Sequence, residues 1–188
     1  MDRINVWGYL KEYEANKKEI LKAVDEVFES GQLILGEKVK SFENKYADYC
    51  GSKYGVGCDN GTNAIFLALK AIGIGTGDEV ITVPNTAIPT VSAIVSTGAT
   101  PVFVDIKRET YLMDATKIEA AITPKTKCIL PVHLFGQCAD MDSIRNIAKK
   151  HNIFVIEDCA QAQGAEYKGH KAGSMSDIST TSFYPTKI

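Results

Sequence analysis

The chain has 188 residues, 45% hydrophobic and 23% charged, with 21 Lys and Arg against 23 Asp and Glu and a formal net charge of -2. That length suits one globular domain with a sizeable core, and the near-balanced charge gives no electrostatic basis for binding nucleic acid or an anionic membrane. No apolar stretch reaches membrane-spanning length, and the opening MDRINVWGYLKEYE lacks the hydrophobic core of a signal peptide, so a cytosolic protein is expected.

In chain order, Ile20, Leu21, Val24, Val27 and Phe28 form a helical stripe across 11–29 that ends near Gly31. Val39, Phe42 and Tyr46 share one face of a second helix over 37–49. Short apolar runs follow at 54–58, 79–83, 101–104, 127–132, 154–157 and 178–183. Helical segments at 62–72, 88–96, 113–121 and 141–150 lie between them. Strands alternating with helices indicate an α/β fold with a mostly parallel sheet, in which ligands bind beyond the carboxyl ends of the strands. With no repeat, low-complexity tract or linker, the expected organisation is an N-terminal helical arm over 1–36 and a large domain over 37–188.

The five cysteines, Cys50, Cys58, Cys128, Cys138 and Cys159, form no C-x-x-C pair, and no histidine lies at zinc-finger spacing. They are expected to be reduced, mostly buried thiols, without a metal.

Three loops after strands carry chemistry. In GCDNGTNAIFLALKAIG, Asp59 to Asn63 open a strongly periodic helix. Amides at a helix N-terminus, a glycine allowing close approach and a threonine hydroxyl suit a phosphate, while Asn, Thr and Asp are equally the residues of an ordinary cap. In IFVIEDCAQAQGAEYKG, an apolar strand delivers Glu157 and Asp158 to its carboxyl end, where a carboxylate serves either a positive ligand or a helix cap. Gln161 and Gln163 follow, placed to donate to a ligand oxygen or simply to be solvated. In DISTTSFYPTK, Lys187 comes just past a buried strand and a proline turn, where a lysine is either an ordinary solvated surface charge or, held in a partly dry cleft, a nucleophilic amine. Pyridoxal 5'-phosphate (PLP) needs a lysine for its Schiff base, an acid beside its pyridine nitrogen and an anion seat, and these three loops supply all of them.

The chain resembles the DegT/DnrJ/EryC/StrS family of PLP-dependent nucleotide-sugar aminotransferases. The resemblance runs through GQLILGEKVKSFENKYADYCGSKYGVGCDNGTNAIFLAL, GIGTGDEVITVPNTAIPTVSAIVSTGATPVFVDI, PVHLFGQCADMDSI, FVIEDCAQAQGA and SFYPTK. It implies a fold type I (aspartate aminotransferase-like) large domain. Lys187 is then the Schiff-base lysine and proton shuttle, Asp158 the partner of the pyridine nitrogen, and Gln161 the partner of the phenolic oxygen. Gly61, Thr62, Asn63 and Ser182 would hold the phosphate. The family further implies a homodimer with shared active sites, a nucleotide-linked keto sugar as substrate and glutamate as amino donor.

Two departures stand out. Ala87 occupies the place where many members stack an aromatic residue on the cofactor ring, and the family is about twice this length, with a small C-terminal domain after the lysine. The chain is therefore expected to be the N-terminal half of its parent. Lys187 also separates it from the dehydratases of the same family, which carry histidine there. A dinucleotide fingerprint in GIGTGD is rejected, because that stretch follows a helix and precedes a strand, the reverse of the required order. The alternative to an enzyme is a non-catalytic protein that keeps the fold for cofactor binding or scaffolding, or an inactive fragment. His133, Tyr111 and Tyr184 stay outside the catalytic set.

Overall fold

The computed structural model describes residues 8–187, which fall into two compact units. The first comprises 8–47 and 54–57. Its helix α1 (Tyr9–Ser30) stops where Gly31 turns left-handed at φ 67° and returns its N–H to the Phe28 carbonyl. Helix α2 (Glu37–Cys50) begins in this unit, where Phe42 and Tyr46 stack with centroids 5.7 Å apart and Lys38 pairs with Glu26 of α1. The apolar run 54–58 is not a strand. No strand among the described residues pairs with it, Tyr54 and Val56 are 75% and 88% exposed, and Gly57 N–H donates instead to Glu43 Oε1 at 2.6 Å. Apolar content alone does not make a strand when no ladder partner is alongside.

The second unit, 48–53 with 58–187, holds the sheet. Its elements are α3 (Gly61–Ala71), β1 (Glu79–Thr82), α4 (Ile88–Ser96), β2 (Thr100–Phe103), α5 (Ile118–Ala121), β3 (Thr126–Ile129), α6 (Met141–His151), β4 (Phe154–Asp158), β5 (Glu166–Tyr167), β6 (His170–Lys171) and β7 (Ile178–Thr180). Five strands form a wholly parallel sheet in the order β2-β1-β3-β4-β7, with Ile81 opposite Val102 and Ile129, and Ile156 opposite Ile178. Val80, Ile81, Cys128, Ile129, Val155 and Ile156 are all buried, the unbroken apolar pattern of a sheet covered on both faces. Helix α3 packs on α4 and β7, and α6 on β3 and β4. No helix among the described residues is long and apolar enough to cross a membrane.

Two expected elements are shorter. The helix over 113–121 gives way at its start, where Met113 bridges Ile106 and Asp114 caps a tight 3-10 turn, Ala115–Lys117, by accepting from Thr116 N–H. The last strand ends at Thr180, whose carbonyl takes the Cys159 N–H before the chain leaves the sheet. A small hairpin, β5 with β6, turns on Lys168 and Gly169, both left-handed. Because β2 and β3 lie on opposite sides of β1, the order in which strands are added reverses between β1 and β3, and beyond the carboxyl ends at such a point is where a ligand crevice opens.

Candidate active site

Strand β4 ends in Glu157 and Asp158, and the two-residue period of a strand sends neighbouring side chains to opposite faces. Asp158 is 4% exposed and fixed on four sides. Its N–H donates to Pro131 O at 3.0 Å and its carbonyl accepts from His133 N–H at 2.9 Å. Its Oδ2 accepts from the Thr90 hydroxyl at 2.8 Å and its Oδ1 from Ala160 N–H at 3.1 Å. Because Thr90 donates to the carboxylate, the 2.7 Å contact between Thr90 Oγ1 and Thr86 Oγ1 must be a donation from Thr86. Burial pushes the Asp158 carboxyl above its ordinary range. The bonds from Thr90 and Ala160, then His133 and, least, Lys187 pull it back without offsetting that.

Glu157 faces a different environment. Its oxygens accept from Gly173 N–H at 3.1 Å, Met175 N–H at 2.9 Å, the Ser176 hydroxyl at 2.8 Å and His133 Nε2 at 3.0 Å. His133 is fully buried, and its Nδ1 accepts from Ala139 N–H at 3.1 Å, which assigns the ring proton to Nε2. Burial raises the Glu157 carboxyl, but the His133 bond, with those from Gly173 and Ser176, holds it below the usual range. This histidine is a structural partner of Glu157. Cys159 Sγ also lies within 4.8 Å of these ligand atoms, but both ring nitrogens and both carboxylate oxygens are already hydrogen-bonded.

The turn before α3 is built by its own side chains. Asn60, in extended conformation, caps the helix by accepting from Asn63 N–H at 2.9 Å. The Asn63 amide donates to both oxygens of Asp59, at 3.0 and 2.7 Å. Both kinds of donor on Asn63, expected in the phosphate seat, are engaged in the turn itself. The N–H groups of Gly61 and Thr62, at the first two helical positions, have no intrahelical acceptor.

Ser182 closes the other side. A Cβ added to Gly61 would lie 3.0 Å from Ser182 Cβ and 3.3 Å from its Oγ, so the bare glycine face and the serine form one cradle. Ser182 Oγ accepts from Tyr184 N–H at 3.3 Å, and no acceptor among the described residues takes its hydroxyl proton. Gln161 is half-buried, its carbonyl taking Gly136 N–H at 2.9 Å while its side-chain amide makes no hydrogen bond among the described residues. Gln163 is half-buried, with its side-chain amide turned onto the backbone. Its Nε2 donates to Ala160 O at 3.3 Å and Ser182 O at 2.6 Å. Lys187 is half-buried after the proline turn, its N–H donating to Tyr184 O at 2.7 Å, with its charge acting on Asp158. Ala87 is the exposed N-cap of α4, and Ile88 beside it is 82% exposed. The residues that sequence reasoning missed are Thr86 and Thr90. Their four-residue spacing across the start of α4, just after a strand, was the available signal.

The arrangement is a buried carboxylate, a lysine and a set of anion donors at one end of a parallel sheet. Residues 14–188 match the DegT/DnrJ/EryC1/StrS aminotransferase family. The chain belongs to that family. It is 56% identical over 97% of its length to a dTDP-3-amino-3,4,6-trideoxy-alpha-D-glucose transaminase of Micromonospora megalomicea subsp. nigra, covering 49% of that protein. It is 47% identical over 95% of its length to a UDP-2-acetamido-2-deoxy-3-oxo-D-glucuronate aminotransferase of Pseudomonas aeruginosa, covering 50% of it. The chain thus spans about half the length of the curated relatives it matches. Among solved structures, S. venezuelae DesV in complex with a ketimine intermediate superposes with a TM-score of 0.97 at 41% identity, over 100% of this chain and 50% of that one. The PLP form of a putative sugar aminotransferase from Streptococcus pneumoniae matches at a TM-score of 0.85 and 36% identity, over 90% of this chain and 47% of that one.

The expected architecture therefore holds: a fold type I large domain with a parallel sheet flanked by helices. The site also fits the family's cofactor on its own terms. A dry carboxyl with no Lys or Arg at ion-pair distance among the described residues suits a protonated pyridine nitrogen. The glycine face and unspent serine proton suit a phosphate.

Proposed function

We propose that the protein is a PLP-dependent aminotransferase that aminates a nucleotide-linked keto sugar in amino-sugar biosynthesis, with glutamate as the amino donor. The observation that carries this reading is the buried Asp158 carboxyl at the carboxyl end of β4, raised by burial and within the field of Lys187. When bound, PLP supplies an electron sink for a carbanion at the substrate carbon.

Asp158 holds a positive charge at the pyridine nitrogen and is itself oriented by Thr90 and Ala160. Ser182, Thr62 and the amides of Gly61 and Thr62 bind the phosphate, with Asn63 and Asn60 fixing the turn. Gln161 meets the phenolic oxygen. Lys187 would anchor the cofactor through Nζ and would hold or move a proton at that atom as general acid and base. The names of relatives that act on dTDP-, UDP- and GDP-linked sugars support a nucleotide sugar as substrate. We place the enzyme in the cytoplasm as a homodimer whose partner subunit completes the site.

The test is a visible absorption titration of the intact protein with PLP, before and after glutamate, beside Lys187→Ala. A lysine-dependent band that glutamate bleaches is expected. A band that glutamate leaves unchanged refutes the donor or the transamination, and no lysine-dependent band refutes the role of Lys187.

A further inference from the structure

Three observations converge on Gln163. Its Nε2 makes two hydrogen bonds, both to backbone carbonyls: Ala160 O at 3.3 Å and Ser182 O at 2.6 Å. Its Oε1 is buried and receives no hydrogen bond among the described residues. Flipping the amide does not relieve this, since an oxygen would then face two carbonyl oxygens. The sequence keeps an orphaned acceptor here, which is costly, in return for a donor at that point.

What the donor joins gives it meaning. Ala160 is locked to Asp158 through its N–H on Oδ1 at 3.1 Å. Ser182 abuts Gly61 and keeps its hydroxyl proton unspent. The path Asp158, Ala160, Gln163, Ser182 therefore ties the acid at one end of the site to the anion donor at the other through a single side chain.

Resting on the function proposed above, we propose that Gln163 is a positioning residue that sets the spacing between Asp158 and Ser182, and so matches the site to a phosphorylated pyridine. It touches neither end of the ligand. Its removal loosens Ser182 alone, because Asp158 keeps its bonds to Thr90, Ala160, Pro131 and His133.

The test compares PLP with pyridoxal, which lacks the phosphate, by absorbance and fluorescence titration of the intact protein. In Gln163→Met, which keeps the length but loses the donor, PLP affinity should fall about tenfold, the weight of one weakened charge-assisted bond, with pyridoxal affinity nearly unchanged. Ser182→Ala should lower the same ratio, and the double variant should lose little more than Ser182→Ala alone. If Gln163→Met does not fold, Gln163→Glu replaces it. There the ratio should be low when the carboxylate is ionised and recover in acid, where a protonated carboxyl again donates to Ser182 O. A wild-type affinity ratio in whichever variant folds, or an equal loss for both ligands, overturns the positioning role. A wild-type protein that does not prefer PLP to pyridoxal at all sinks the phosphate seat itself, a failure of the underlying reading that is visible before any variant is made.

Discussion

Gly61→Ala isolates the cradle. Gly61 is the first residue of α3 and is not left-handed, so alanine meets no backbone strain there. Helix propensity alone favours the change by about 0.5–1 kcal/mol. Against it, the new methyl would sit 3.0 Å from Ser182 Cβ, tighter than ordinary carbon contact, so the serine must give by a few tenths of an ångström. Ser182 cannot yield freely, since Gln163 holds its carbonyl at 2.6 Å and Tyr184 N–H its hydroxyl at 3.3 Å. Overpacking of this kind costs about 1–3 kcal/mol and outweighs the propensity gain. A net loss of about 1 kcal/mol lowers the cofactor-free Tm by about 2–4 °C. The larger effect is on binding: displacing Ser182 Oγ weakens a hydrogen bond to an anion worth about 1.5–3 kcal/mol, so PLP affinity should fall by about tenfold or more. Thermal unfolding without cofactor and fluorescence titration with PLP measure the two effects separately. A Tm that rises while PLP affinity stays the same would show that the glycine is a mere helix start and that the cradle does not exist.

Three further outcomes are expected. The raised Asp158 carboxyl means that the cofactor-free protein holds this stability fully below the unfolded carboxyl range and loses it as pH rises through the folded value. Denaturant midpoints should therefore fall over that window, and Asp158→Asn should flatten the decline and shift the lysine-dependent band; identical pH slopes in the two proteins contradict the assignment. Glu157→Gln puts an amide where four donors converge and should cost about 3 kcal/mol in urea unfolding, with the gap to wild type narrowing in acid, because the lowered Glu157 carboxyl loses its contribution as pH falls through the folded value. No disulfide joins the described cysteines, so thiol titration of the native cofactor-free chain should find one fast group, the exposed Cys58. Half-buried Cys138, its thiol pushed up to about 11 by burial, should lag, and buried Cys50, Cys128 and Cys159 should react only on unfolding.

The sheet was legible because each parallel strand is short and the central ones are built around adjacent buried apolar residues. The runs around Ile81, Ile129 and Ile156 all fell where strands formed. Periodicity failed where pairing or capping decided the outcome. Residues 54–58 have the composition of a strand without a partner beside them, and Asp114 starts a tight turn inside what looked like one helix. In the site, chain order put Asp158 at the end of a strand and Lys187 beyond one, while Gly61 opens a helix after a run that forms no strand, and hydrogen-bond destinations are invisible in one dimension. Asn63 points to Asp59, Gln163 to two carbonyls, and Thr90 reaches Asp158 across 68 positions.

The adjacent pair Glu157 and Asp158 shows why residue type alone does not assign a role. Both are carboxylates at the end of the same strand, and both are buried. The strand's alternation gives Glu157 three donors from the 173–176 loop and a fourth from His133, so its charge is answered and it fastens the segment that leads into β7. The Asp158 carboxylate receives two neutral donors, with His133 and Lys187 acting on it only from a distance, so its charge is left wanting a cation. The first carboxylate thus fixes the strand that carries Ser182 and Lys187 toward the site, and the second waits at its centre. A change at Glu157 should therefore reach cofactor binding only through the position of β7, as a loss in affinity for both PLP and pyridoxal, whereas a change at Asp158 alters the electronic state of whatever pyridine is bound.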